Sequence, residues 1–170
     1  MNFSVERPLP WVLDVEASGF GAGSYPIEVG FAAPDGRVMC MLIRPEPQWT
    51  HWDVRAEAVH CVAREQLLSH GRSSAEVAAL LNLELAGQQV YCNSWAHDYV
   101  WLARLFDAAG VLQRFRLRDL RELLSEAELA RFDAARTVVQ ARAALVRHRA
   151  SADALVLQLT VAAVRGVSQL

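Results

Sequence analysis

The sequence predicts an α/β layered domain, a mixed sheet with helices on its faces, and three observations predict it. Short apolar runs separated by turn residues fill the first third of the chain, one more apolar run lies between helical stretches in the middle, and the last part is helical in composition. The first run, at 11–15, opens "WVLDVEASGF". "IEVGFAA" at 27–33 and "RVMCMLIRP" at 37–45 follow as strands, joined by the hairpin signal Pro34-Asp35-Gly36, so the first three strands make an antiparallel start. "EPQWTHWD" at 46–53 reads as a loop and "RAEAVHCVAREQLLSHG" as weakly helical. Ser73 or Ser74 caps a helix reaching about Ala86, with Glu76 as the capping-box acid, and "QQVYC" at 88–92 is a short buried strand. A helix from about Ala96 to Ala109 repeats Val100, Leu102, Leu105 and Phe106 near helical spacing, carries Asp98 in its first turn and stops at Gly110. After "RFRLRDL", residues 125–147 are helical behind the capping box Ser125-x-x-Glu128, and a last helix runs from about Ser151 to Arg165.

A chain of 170 residues suits a single domain, residues 1–170, that buries roughly 68–70% of its unfolded surface around one core. The three cysteines, Cys40, Cys61 and Cys92, are widely spaced among apolar neighbours, which favours buried thiols over a disulfide framework or a zinc site. No signal peptide is expected, because Arg7, Pro8 and Pro10 interrupt the opening segment, and no uncharged apolar run is long enough to span a bilayer. The expectation is a soluble cytoplasmic protein with no membrane partner. Net charge is −2, and all 17 basic residues are arginine. A protein that gripped long duplexes nonspecifically would be basic, so any nucleic-acid substrate should be short, single-stranded or held at one end.

Within the first strand, Asp14 and Glu16 are one residue apart and therefore share a face, while Leu13 and Val15 point into the other layer. Two like charges on one half-buried face repel unless a cation or a shared proton offsets them, so the stretch reads as a metal site. Asp98 opens a helix directly after a short strand, where α/β sheets gather functional residues. Near the C-terminus "VRHRASADALVLQL" sets His148 five positions before Asp153, an acid on an otherwise apolar helix. Three separate segments each deliver an acid to an apolar context, and one adds an imidazole.

This ordered set, D-x-E in a first strand, a D opening a later helix and H-x4-D before a terminal helix, resembles the DEDDh 3′-to-5′ exonucleases, the proofreading-exonuclease and ribonuclease T group. The resemblance runs over roughly residues 11 to 160. It implies a ribonuclease H-like fold with a mixed five-stranded sheet flanked by helices. It implies hydrolysis of single-stranded DNA or RNA from the 3′ end, releasing nucleoside 5′-monophosphates. Asp14, Glu16, Asp98 and Asp153 would hold two divalent cations, Mg²⁺ or Mn²⁺, and His148 would be the general base. Hard cations prefer oxygen ligands, which agrees with four carboxylates, and imidazole exchanges protons near neutral pH. "EASGF" resembles the family's turn at the terminal 3′-OH, which implies substrate-binding roles for Ala17, Ser18 and Gly19, with Phe20 as an apolar wedge between the last two bases. "AEAVHCVAREQL" resembles the segment that borders the terminal nucleotide, which implicates Val59 and His60. Relatives often form homodimers, so a homodimer is a further expectation.

The chain departs from the family in two places. Ser94 stands where relatives often have Asn and His97 where they have Phe, and His60-Cys61-Val62 lacks the usual glycine. These changes touch substrate binding more than metal ligation. A non-cleaving nucleic-acid or protein binding module on the same fold, and a phosphodiesterase for dinucleotides or short oligoribonucleotides, are the alternative readings. Elsewhere, His51, His70 and His97 read as surface polarity and Trp95 and Trp101 as packing around the Asp98 helix. Trp49 and Trp52 read as loop anchors, with base contact as the alternative. Arg131, Arg136, Arg142 and Arg147 form a solvated helix face that alternatively guides a phosphate backbone.

Overall fold

The computed structural model describes residues 8–143 and 148–166. Arg7, part of the signal-peptide argument, and Arg147, on the expected long helix, lie outside the described residues. Five strands, β1 (Trp11–Ala17), β2 (Pro26–Ala32), β3 (Val38–Leu42), β4 (Gln89–Cys92) and β5 (Arg116–Asp119), form one sheet in the order β3-β2-β1-β4-β5. The first three pair antiparallel as expected, and β4 and β5 continue the sheet parallel to β1. The mixed α/β sheet predicted from the sequence is present, with β1 at its centre.

Alternation along β1 divides the interior. Leu13, Val15 and Ala17 enter a core shared with two helices, α3 (Ser74–Leu85) and α4 (Trp95–Ala109), through Val77, Leu81, Leu102 and Leu105. Val12, on the opposite face, packs in a second cluster with α5 (Glu126–Ala143) and α6 (Ala150–Val164), through Phe132, Ala154, Leu157 and Val161. Asp14 and Glu16 continue the Val12 face past the body of α6, beside its first turn. The helix comes close because β2 has no side chain at Gly30: a Cβ there would lie 2.3 Å from the Ser151 nitrogen. Any larger residue would force α6 off the sheet.

Ser73 caps α3 with Glu76 completing the capping box, and Gly110 ends α4 in the left-handed region, both as expected. The segment expected to be weakly helical is two helices, α1 (Val54–His60) and α2 (Arg64–His70), broken at Cys61. Cys61 has φ 55 and donates its N–H to the Glu57 carbonyl at 2.8 Å. It therefore takes, without a glycine, the left-handed cap that glycine favours. Two of the three thiols expected to be buried, Cys40 and Cys61, are exposed; only Cys92 is interior, and all three are free. Apolar neighbours in sequence were a poor guide because β3 is half exposed and Cys61 sits at a helix end.

Candidate active site

One cleft of about 770 Å³ opens at the C-terminal end of β1. Asp14 and Glu16 enter it from β1, Asp98 from the first turn of α4, Asp153 from the first turn of α6 and His148 from the loop before α6. Ala17, Gly19, Phe20, Val59 and His60 also line it. Ser18 is the exception among the residues singled out from the sequence. It is buried, its hydroxyl accepts the Tyr25 N–H at 3.1 Å and lies 3.2 Å from Nδ1 of His51, and its side chain does not face the cleft.

The acids are held in a state of mutual discomfort. Burial, then the charges of Asp98, Glu16 and Asp153, hold the Asp14 carboxyl well above its ordinary range, with Arg136 opposing. Glu16 is pushed up to about 7 by burial and by Asp153, Glu28 and Asp98, with Arg149 opposing. Asp98 is pushed to about 7 by burial alone, against hydrogen bonds from Cys92 and the Ser94 backbone. Its Oδ2 is buried with no hydrogen-bond partner. Such an orphaned acceptor is costly unless something occupies it.

Asp153 Oδ2 accepts the backbone N–H of His148 at 3.0 Å, and His148 takes φ 57, so the acid holds the loop in a left-handed turn. Ligand atoms of Glu16, His148 and Asp153 all lie within 4.8 Å of one another. Asp14 and Asp98 share the cleft but fall outside that tight trio. A divalent cation fits this donor set: oxygen-rich, charge-dense, and with one buried carboxylate oxygen unsatisfied.

A buried ion pair fixes the frame behind the acids. Glu28, directly opposite Glu16 in the β1–β2 register, is fully buried, yet it receives Arg149 Nε at 2.9 and 3.1 Å, Arg149 Nη2 at 2.5 Å and the Ala150 N–H at 2.9 Å. This clamp ties the residue after His148, and the first residue of α6, to β2. The sequence carried its signal, an acid in the middle of the apolar run "IEVGFAA".

The cleft's lip is aromatic. Phe20 is 68% exposed, and its ring meets His97 edge-on at 5.2 Å; His97 in turn stacks on Trp101 at 5.6 Å. His97, which reads as surface polarity in sequence, therefore lines the cleft. His51 is likewise engaged, supporting the turn through Ser18. Gly19, at φ 141, leaves room for them: a Cβ there would lie 2.8 Å from both His51 and Asp53. Asp53, Arg55 and Ser94 also line the cleft, and nothing in their spacing distinguishes them in the sequence from ordinary cap and helix residues.

His60 is 3% exposed and accepts the Val62 N–H on Nδ1 at 3.1 Å. In the neutral ring Nε2 is then a donor, and it has no partner. Burial lowers the pKa of this imidazole below its ordinary value. Trp49 and Trp52 are loop anchors: Trp49 stacks on Tyr25 at 5.3 Å, and the Trp52 indole N–H donates to Glu57 at 2.6 Å. Neither lines the cleft.

Solved structures share this arrangement of strands and helices. An exonuclease I from Methylocaldum szegediense superposes with a TM-score of 0.70 over 94% of this chain and 40% of its own, at 13% identity. The fold is the one found in exonuclease I. The E. coli enzyme in complex with a dA16 oligonucleotide gives 0.66 over 91% of this chain and 40% of its own, at 12% identity. A product-bound exonuclease I gives 0.66 over 94% and 43%, at 11% identity. This chain thus spans about two fifths of the length of these exonuclease I chains. No known family model matches the sequence, and no curated protein does. No helix among the described residues is long and apolar enough to cross a membrane.

Proposed function

We propose that this chain removes nucleotides one at a time from the 3′ end of single-stranded DNA or RNA, as a DEDDh-type exonuclease using two divalent cations, Mg²⁺ or Mn²⁺. The carrying observation is the convergence of Asp14, Glu16, Asp98, His148 and Asp153 on one cleft in which the buried Asp98 oxygen lacks a partner. The exonuclease I structures that share the fold include complexes with single-stranded oligonucleotides, which supports the substrate class.

Asp14, Glu16, Asp98 and Asp153 would hold the cations, which when bound supply a more acidic attacking water and charge stabilisation at the leaving 3′ oxygen. His148 would take the proton of the attacking water, from a position where its ring nitrogen lies within 4.8 Å of the Glu16 and Asp153 ligand atoms. The Ala17–Gly19 backbone meets the terminal 3′-OH, with Ser18 acting through His51 rather than by contact. Val59 and the Nε2–H of His60 border the terminal nucleotide, and the exposed Phe20 ring wedges between the last two bases.

The test is incubation of 5′-labelled single-stranded DNA and RNA oligonucleotides with Mg²⁺ or Mn²⁺, with and without chelator. A ladder shortening from the 3′ end, abolished by chelator, is expected. Retardation without products identifies a binding module instead, and cleavage confined to dinucleotides identifies a phosphodiesterase.

A further inference from the structure

Beyond the cleft, the start of α4 presents an aromatic surface that the site does not use. Trp95 and Tyr99, one turn apart, stack with ring centroids 5.2 Å apart and planes 26° apart, yet they are 41% and 50% exposed. The Trp95 indole N–H donates to the Leu117 carbonyl on β5 at 3.2 Å. That bond fixes the ring plane, so the stack is ordered while remaining open to solvent. Two ordered rings left in water are an unusual use of side chains that normally bury their area.

A groove of about 390 Å³ runs beside them, lined also by Arg116 and Arg118 of β5. Residues 116 and 118 point to the same face of the strand. Arg118 pairs with Glu122, whereas Arg116 makes no ion pair among the described residues. In a chain of net charge −2, an unpaired guanidinium beside exposed rings is a local positive site. The helix that carries the stack also sends His97, Asp98 and Trp101 into the catalytic cleft. Trp95 and Asp98 are separated by about 4.5 Å along the helix axis.

We propose that this groove is a second stacking site for single-stranded nucleic acid, holding a nucleotide upstream of the 3′ end, with the base on the Trp95–Tyr99 stack and a phosphate on Arg116. The inference rests on the exonuclease reading. Ring faces take any base, and a guanidinium takes the phosphate, so the groove is sequence-tolerant, as progressive trimming requires. An apolar peptide would satisfy the rings but leave Arg116 without a partner.

The test compares dT2 with dT8 on the full chain with Mg²⁺. In the unmodified protein KM is expected to fall roughly tenfold or more from dT2 to dT8, the effect of one added stacked base. The double variant Trp95→Leu, Tyr99→Leu keeps apolar bulk and is expected to lose that gain while kcat on dT2 is unchanged; Trp95→Phe retains the gain. Arg116→Ala should reduce the salt slope of dT8 binding by about 1. A double variant with the unmodified length dependence, or an unmodified protein with none, overturns the groove. If dT2 and dT8 are both uncut, the exonuclease reading fails separately, and fluorescence anisotropy of labelled dT8 against dT2 makes the same comparison for binding alone.

Discussion

Glu16 and Glu28 face each other across one pair of strands and have opposite fates. Glu28 is completely buried, and the Arg149 fork and the Ala150 N–H account for its charge. Glu16 is less buried but has no ion-pair partner among the described residues, and its carboxyl is pushed up to about 7. Depth of burial does not account for the difference, because the deeper acid is the paired one. Supply of counter-charge does: the chain completes Glu28 from within, whereas Glu16 shares its cleft with Asp14, Asp98 and Asp153 and makes no ion pair among the described residues. One side of the ladder is a structural joint and the other a gathering of like charges.

The largest expected effect falls on the uncompensated side. Asp153→Asn keeps an oxygen to accept the His148 N–H but removes a charge proposed to hold a cation, and is expected to slow nucleotide release by about 10³-fold or more, several kcal/mol of lost charge stabilisation. Its melting temperature in chelator should be no lower than that of the unmodified protein, because carboxylate repulsion is relieved. Near-normal rates would remove Asp153 from the cation set. His148→Ala is expected to slow turnover by about 10²–10⁴ while leaving the cation-induced rise in melting temperature intact. Loss of that rise would make His148 a ligand rather than a base.

On the compensated side the effect moves from activity to stability. Glu28→Ala leaves Arg149 without its partner and is expected to cost about 3 kcal/mol, the low end for a broken buried pair because Arg149 reaches solvent; denaturant titration in chelator reads it. The last effect is in pH. Glu16 and Asp98 titrate near 7 when folded and near ordinary carboxylate values when unfolded. Between those values these two groups hold more protons in the folded state, so they lower the stability of the cation-free protein as pH rises from about 4 to about 7; Asp14, raised well above its ordinary range, acts in the same direction, and His60, lowered by burial, opposes it. Saturating Mg²⁺ should flatten that slope, and melting curves from pH 5 to 8 with and without the cation compare the two.

Much of this was legible in the sequence because the signals are local. Strand alternation put Asp14 and Glu16 on one face, and the first-turn positions of Asp98 and Asp153 followed from helix caps and apolar spacing. What was not legible depends on partners distant in sequence. Arg149 and Glu28 meet across 121 positions, and His97 joins the lip only because Phe20 arrives from another element. Strand β5 was hidden because Arg116 and Arg118 break the apolar run at the sheet edge. Trp95 looked like packing because a tryptophan on an amphipathic helix usually is; its exposure comes from its place at the helix start.

Gly30 carries a consequence of another kind. It lets the first turn of α6 rest directly on the backbone of β2, with Ser151 where a side chain would be. In mechanical terms the glycine is a detent. A slip of α6 by one residue would advance the helix by about 1.5 Å and rotate Asp153 by about 100°, carrying it away from Glu16. A residue with no side chain, on the strand beside the acids, thereby sets the angular position of one of them.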